Sequence, residues 1–249
     1  MTTIQSQSIV LSILNNKKDI PANGKVITTV VSTPMIDVVA PAKNVGVIKT
    51  LTGFKYIGEK IRQFENKEID GTYILGFEES YGYLIGTHAR DKDAIVSSLL
   101  IAEMAAFYNS KGTSIYKELQ KVYQEFGYYL EGIKSVTLTG KDGIEKMANL
   151  MTELRETVKD RTIDKNIKIK RDFKTKKELI VATGEEKDIL LPVENVIQFV
   201  LEDDTYITAR PSGTEPKIKF YFSVNAPTKE EVEKKLNETM EKFVATLKL

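Results

Sequence analysis

The chain of 249 residues contains no cysteine. That excludes disulfides, thiol catalysis and zinc sites built on cysteine ligands, and it fits a reducing cytoplasm. Histidine occurs once, at His88. A serine–histidine relay or a histidine metal site would have to use it, and no nucleophile sits beside it. His88 therefore reads as a packing or ligand-contact residue rather than a catalytic base. No sign of charge is in excess. Lys+Arg 36 against Asp+Glu 35 leaves +1, so no global field favours nucleic acid or a membrane surface. Long apolar runs are also missing. The most apolar stretch, Ala94 to Tyr108, contains Glu103 and falls short of the ~20 residues of a bilayer span. It reads as a buried helix. Met1 to Leu14 lacks the basic start of a signal peptide.

What remains is a composition that can bury a core: 41% hydrophobic and 29% charged residues, enough for one large domain or two of ordinary size. Gln7 to Asn16 reads as a short helix and Lys25 to Val31 as a β-branched strand. Met35 to Val45 reads as a helix, Val47 to Leu51 as a strand and Phe54 to Phe64 as a helix with Ile57, Ile61 and Phe64 at helical spacing. Tyr73 to Phe77 is a strand, Asp93 can cap the apolar helix after it, and Ser114 to Phe126 is amphipathic. Alternating strands and helices predict an α/β domain, a mixed sheet with helices on both faces. After Gly127 the pattern changes. A strand from Tyr128 to Leu138 and a helix from Ile144 to Val158 precede a run of short strands, among them Glu178 to Thr183, Val196 to Leu201, Tyr206 to Ala209 and Ile218 to Val224. Thr228 and Glu231 then form a capping box for a last helix. This predicts a smaller α+β domain, with the boundary near Gly127 giving residues 1–127 and 128–249.

Four loops concentrate chemistry. Arg210-Pro211-Ser212-Gly213-Thr214-Glu215-Pro216-Lys217 suits a phosphate. Arg210 offers a planar fork, Ser212 and Thr214 offer hydroxyls, Gly213 lets backbone N–H groups converge, and two prolines restrict the turn. A polar hairpin loop is the plainer reading. Gly76-Phe77-Glu78-Glu79-Ser80-Tyr81-Gly82-Tyr83 gathers two carboxylates, a hydroxyl and two aromatics after a strand, a set able to hold a sugar; a wet, glutamate-bearing turn is the plainer reading. Adjacent strand residues point to opposite faces, so Glu78 and Glu79 do not act on one bond. Thr52, Gly53 and Lys55 lie where a helix begins and its N–H groups are free. Arg90-Asp91-Lys92-Asp93 reads as an N-cap with a local ion pair rather than a cation site. The lysine-rich stretch Lys165 to Lys177 lacks the interleaved aromatics of a nucleic-acid surface.

Together and in this order, the loops resemble those of the α-D-phosphohexomutase superfamily, of the bacterial phosphoglucomutase/phosphomannomutase type. Arg210 to Lys217 is similar to the phosphate-binding loop of its fourth domain, and Gly76 to Gly82 to the sugar-specificity loop of its third. The resemblance spans nearly the whole chain. It implies an α/β third domain and a fourth domain resembling the TATA-binding-protein fold, a likeness of topology that implies no DNA binding. It also implies the C-terminal half of an enzyme that interconverts hexose 1- and 6-phosphates of glucose or mannose. Glu78, Ser80, Thr52, Gly53 and Lys55 would then bind the sugar, and Arg210, Ser212, Gly213, Thr214 and Lys92 the phosphate that is not transferred. The family's phosphoserine loop and its Asp-x-Asp-x-Asp magnesium loop have no counterpart here. The resemblance thus implies that Mg2+ ligands and the catalytic serine belong to two missing N-terminal domains, that a glucose 1,6-bisphosphate-like activator serves the intact enzyme, and that this chain alone is inactive. The alternative is a stand-alone sugar-phosphate-binding module. Neither reading calls for nucleic acid or a membrane.

Overall fold

Gly24–Thr29 (β1) is a run of β-branched residues with alternating destinations: Val26 enters one apolar cluster and Ile27 another. That period of two is what a sheet covered on both faces requires. The computed structural model describes residues 20–138, 142–156, 167–213 and 215–247. The helix expected over Gln7 to Asn16, and Thr214 of the expected phosphate loop, lie outside the described residues. The chain divides into two compact units, Met1–Tyr129 and Leu130–Leu249.

In the first unit, β1 is followed by Ile36–Ala42 (α1), Gly46–Thr50 (β2), Phe54–Glu65 (α2), Thr72–Glu78 (β3), Gly82–Ile85 (β4), Ala94–Ser110 (α3) and Ile115–Phe126 (α4). The sheet order is β2-β1-β3-β4. β1 runs parallel to β2 and β3, while β4 is antiparallel to β3, so the sheet is mixed. Ile36 and Val39 of α1, Met104 and Tyr108 of α3, and Leu119, Val122 and Tyr123 of α4 share one cluster with Val26, Leu75 and Phe77. Phe54, Ile57 and Ile61 of α2 form the other with Ile27 and Leu84. Helices cover both faces.

Two expectations need correcting. The Gly76 to Gly82 segment is not all loop: Phe77 and Glu78 finish β3, only three residues turn, and Gly82 already opens β4. The apolar stretch from Ala94 does form a helix capped by Asp93, but among the described residues only Met104 and Tyr108 of it are buried. Ile95 is 83% and Leu99 58% exposed. The helix is apolar on every side, and a single i, i+4 stripe reaches the sheet.

Tyr128–Thr137 (β5) begins with the last two residues of the first unit, and in the second Gly143–Glu156 (α5), Ile167–Asp172 (β6), Lys177–Ile180 (β7), Glu185–Asp188 (β8), Ile197–Leu201 (β9), Tyr206–Pro211 (β10), Lys217–Ala226 (β11) and Lys229–Thr246 (α6) follow. The seven-stranded order is β5-β11-β10-β9-β6-β7-β8, and from β11 to β8 each neighbouring pair is antiparallel. Register puts Ile207 beside Phe222 and Ala209 beside Phe220. The Phe243 ring of α6 meets Phe220 and Phe222 edge-on at 5.3 and 5.6 Å. Burying such a ring contributes about 2–3 kcal/mol. The other face is polar. Gln198 donates to the Thr208 hydroxyl at 2.9 Å and accepts from Arg171 at 2.9 Å, and Arg171 also donates to Glu178. Thr228 and Glu231 make the expected capping box at the start of α6. The fourth strand of the first sheet and β8 of the second carried no apolar alternation to announce them.

Candidate functional site

Open sheets containing parallel strands bind ligands outside their carboxyl ends, where the strand order reverses. In the first unit that place lies between β1 and β3: the chain leaves β1 for β2 on one side and leaves β3 for β4 on the other. Three expected residues, Thr52, Gly53 and Lys55, follow the end of β2, and Glu78 and Ser80 stand at the end of β3. Thr52 is buried and its hydroxyl has no hydrogen-bond partner, nor has that of Thr28 in β1. Gly53 is the N-cap of α2 with φ 115, a conformation that favours glycine, and a Cβ there would meet nothing within 4 Å. No side chain caps α2. Its first turn therefore presents backbone N–H groups at an open position. Lys55 holds its ammonium 4.7 Å from the centre of the Tyr56 ring.

The two glutamates part as strand geometry requires. Glu78 is buried, and its Oε1 accepts from the Lys92 ammonium at 2.8 Å. That hydrogen bond raises the Lys92 pKa above the ordinary lysine value. Lys92 also lies 5.6 Å from the centre of the Phe54 ring at the start of α2. Gly82 is required beside this pair, because a Cβ would come within 2.8 Å of Glu78 and 3.1 Å of Lys92. Glu79 instead accepts from the Thr29 hydroxyl at 2.9 Å, and Thr29 is 2.9 Å from Ser32. Ser80 is exposed at the hairpin tip. The structure thus gathers Phe54, Glu78, Gly82 and Lys92, and places Lys92 on Glu78.

The neighbouring polar residues serve the fold. Asp93 accepts from the N–H groups of Ile95 and Val96 through Oδ1 and from His88 Nε2 through Oδ2 at 2.9 Å. The His88 hydrogen bond and the capped N–H groups hold its carboxyl below the usual range. His88 is exposed, so of the two roles expected for it, packing or ligand contact, the packing one fails. Arg90 donates to Glu65.

In the second unit the phosphate-type loop joins β10 to β11. Arg210 pairs across the strands with Lys219. Two like charges directly opposite each other are destabilising unless an anion lies between or beside them. Glu194 partly offsets this, accepting from Arg210 Nε at 3.2 Å. Burial works against the Arg210 charge, but Glu194 and then Tyr221 leave its pKa above the ordinary value. The Ser212 N–H donates to the Lys217 carbonyl at 2.7 Å, and the Ser212 hydroxyl accepts from Glu215 N at 3.3 Å, closing the turn. Gly213 is exposed, with nothing within 4 Å of a Cβ built on it.

Glu194, Lys219, Thr29 and Ser32 were not foreseen from the sequence. Lys219 had a signal, the alternation Lys217-Ile218-Lys219 after the loop. Among the described residues no three histidine or acidic side chains converge as a metal site. No described helix is long and apolar enough to cross a membrane.

Two folds of this kind, a mixed sheet with helices on both faces and an antiparallel sheet with two helices, define a class. Residues 5–126 match the model of the phosphoglucomutase/phosphomannomutase alpha/beta/alpha domain III. Through this domain the chain belongs to the phosphoglucomutase/phosphomannomutase family. It is 32% identical over 225 residues to a phosphoglucomutase of Staphylococcus haemolyticus strain JCSC1435, covering 90% of this chain and 40% of that protein. With a phosphoglucomutase of Staphylococcus aureus strain MRSA252 it shares 35% over 211 residues, 85% of this chain and 38% of the relative. The chain thus spans about two fifths of the length of these relatives. Among solved structures, the open form of pp63/parafusin, a phosphoglucomutase from Paramecium, superposes with a TM-score of 0.66 at 19% identity, covering 97% of this chain and 41% of that one. A phosphoglucomutase/phosphomannomutase family protein from Burkholderia thailandensis gives 0.57 at 13% identity, with 98% and 42% covered. At such identities these two show the fold.

Proposed function

We propose that the chain supplies substrate-binding residues of a cytoplasmic hexose-phosphate mutase. It corresponds to the C-terminal half, the third and fourth domains, with residues 1–127 and 128–249 as their bounds. The observation that carries this reading is the buried Glu78 carboxylate, held by Lys92 at the carboxyl end of β3. A buried carboxylate needs partners for its remaining lone pairs, and sugar hydroxyls are donors of the right kind. Glu78 and Ser80 hold the sugar, with Thr52, Gly53 and Lys55 beside them. Lys92 fixes the Glu78 carboxylate and adds positive charge for the phosphate.

The second unit supplies the grip on the non-transferring phosphate. Arg210 and Lys219 gain from an anion what they lose by facing each other. Ser212 and Gly213 shape the turn, and Thr214 completes the set. Glu194 orients the Arg210 fork from its Nε side. Glucose or mannose 1- or 6-phosphate is the substrate, and the two domains that precede these in the family supply the phosphoryl donor and the magnesium. Catalysis needs those domains, so the chain alone binds without turning over.

Titration calorimetry of the whole chain with glucose 1-phosphate tests this. Saturable binding is expected, weakened by about 1.5–3 kcal/mol in Arg210→Ala, the range for hydrogen bonds to charged groups. Glu78→Gln should weaken glucose 1-phosphate but leave inorganic phosphate bound. Absence of saturation at millimolar ligand would sink the reading.

A further inference from the structure

The hairpin that carries Glu78 and Ser80 spends stability on one residue. Glu78 pairs with Gly82, so the connection between β3 and β4 is Glu79, Ser80 and Tyr81. Three-residue hairpin loops end in a residue of left-handed conformation, a place that glycine fills without cost. Tyr81 fills it here, with φ 57. Four other described non-glycine residues have positive φ: Asn44, Lys67, Lys176 and Asp204. All four are polar or charged, and none is aromatic. Bulky residues in this region are outliers, and a strained backbone that persists points to a function for the residue that bears it.

The Tyr81 ring gives nothing back to the fold. It is 64% exposed, and no hydrogen bond or ring contact involves it among the described residues. A tyrosine that is strained in its backbone and unpaired in its side chain favours neither folding nor solubility. It directly follows Ser80 and lies three residues from Glu78.

We propose that Tyr81 is a sugar-binding residue, an aromatic platform for the C–H face of a hexopyranose whose hydroxyls Glu78 and Ser80 hold. Hexopyranoses carry slightly positive C–H groups on their ring faces, and an aromatic face is negative, so the two attract where a purely polar loop would give only hydrogen bonds. The hairpin would then read the sugar twice, by hydroxyls and by ring face. This rests on the sugar-binding reading of the same hairpin.

The test uses the whole chain with Tyr81→Gly, Tyr81→Phe and Glu78→Gln. Thermal unfolding is read alongside calorimetric titration with glucose 1-phosphate and with inorganic phosphate. Tyr81→Gly removes ring and strain together, so its unfolding midpoint should equal or exceed that of the parent. Its affinity for glucose 1-phosphate should fall about three- to tenfold, the range of an aromatic stacking contact, with inorganic phosphate unaffected. Tyr81→Phe should bind like the parent. A lowered midpoint in Tyr81→Gly would show the ring to be structural and overturn the proposal. Unchanged glucose 1-phosphate affinity in Tyr81→Gly, with Glu78→Gln weakened, would overturn it and leave the sugar site standing. If the parent chain itself fails to bind glucose 1-phosphate, both readings fall.

Discussion

Asp93 ties two neighbours together, the first turn of α3 through one oxygen and His88 through the other. Its carboxyl lies below the usual range, first because of His88. A depressed folded-state pKa means stability that is present above the unfolded carboxylate value and is lost as pH falls through the lower, folded one. Asp93→Asn keeps an oxygen for the cap but cannot titrate. Thermal unfolding followed down the acid limb should therefore fall less steeply for Asp93→Asn than for the parent, while Asp93→Ala should lower the midpoint at neutral pH as well. Parallel acid limbs for parent and Asp93→Asn would refute the assignment. At this scale the sequence was legible where backbone geometry alone decides. The opposite facing of Glu78 and Glu79 follows from strand alternation, and the cap from an aspartate ahead of an apolar run. Glu194 on Arg210 and Lys219 across from it depend on how β9, β10 and β11 are brought together, which no local pattern encodes.

Among the elements, α3 shows where pattern reading stops. Its composition gave the helix and Asp93 its start, but composition could not say how many of its sides would be covered. The described structure covers one stripe, Met104 and Tyr108, and leaves Leu99 exposed. Met104→Ala should accordingly cost about 2–5 kcal/mol in urea unfolding, the range for truncating a buried large residue. Leu99→Lys should stay within about 0.5 kcal/mol of the parent, as surface substitutions do. A large loss in Leu99→Lys would show that another segment covers that side of the helix. β1, β2 and β3 were readable from β-branched runs between turns. The short β4 was not, because Gly82-Tyr83-Leu84-Ile85 has no alternation and its glycine suggested loop. That glycine is there for clearance beside Glu78 and Lys92.

Over the whole molecule, two separate sheets mean open edges. Edge strands offer unpaired backbone groups to any other chain that arrives. The second sheet ends at β8, bonded on one side only to β7, and all four of its residues, Glu185, Glu186, Lys187 and Asp188, are exposed. Four charged side chains in four positions make that edge a poor template, since a strand docking there would have to strip water from each. The sequence predicts a strand that ends at Thr183 and none over Glu185–Asp188, because four charged residues in a row offer no apolar face. Glu186→Val with Lys187→Val should leave the fold intact by circular dichroism but raise light scattering as the protein is concentrated or warmed. Scattering that matches the parent would show that the edge is protected by something other than charge. A strand whose four residues are all charged and all exposed would thus act on colloidal behaviour. On a chain whose net charge of +1 gives little mutual repulsion, such an edge is expected to keep the sheet from extending into its neighbours.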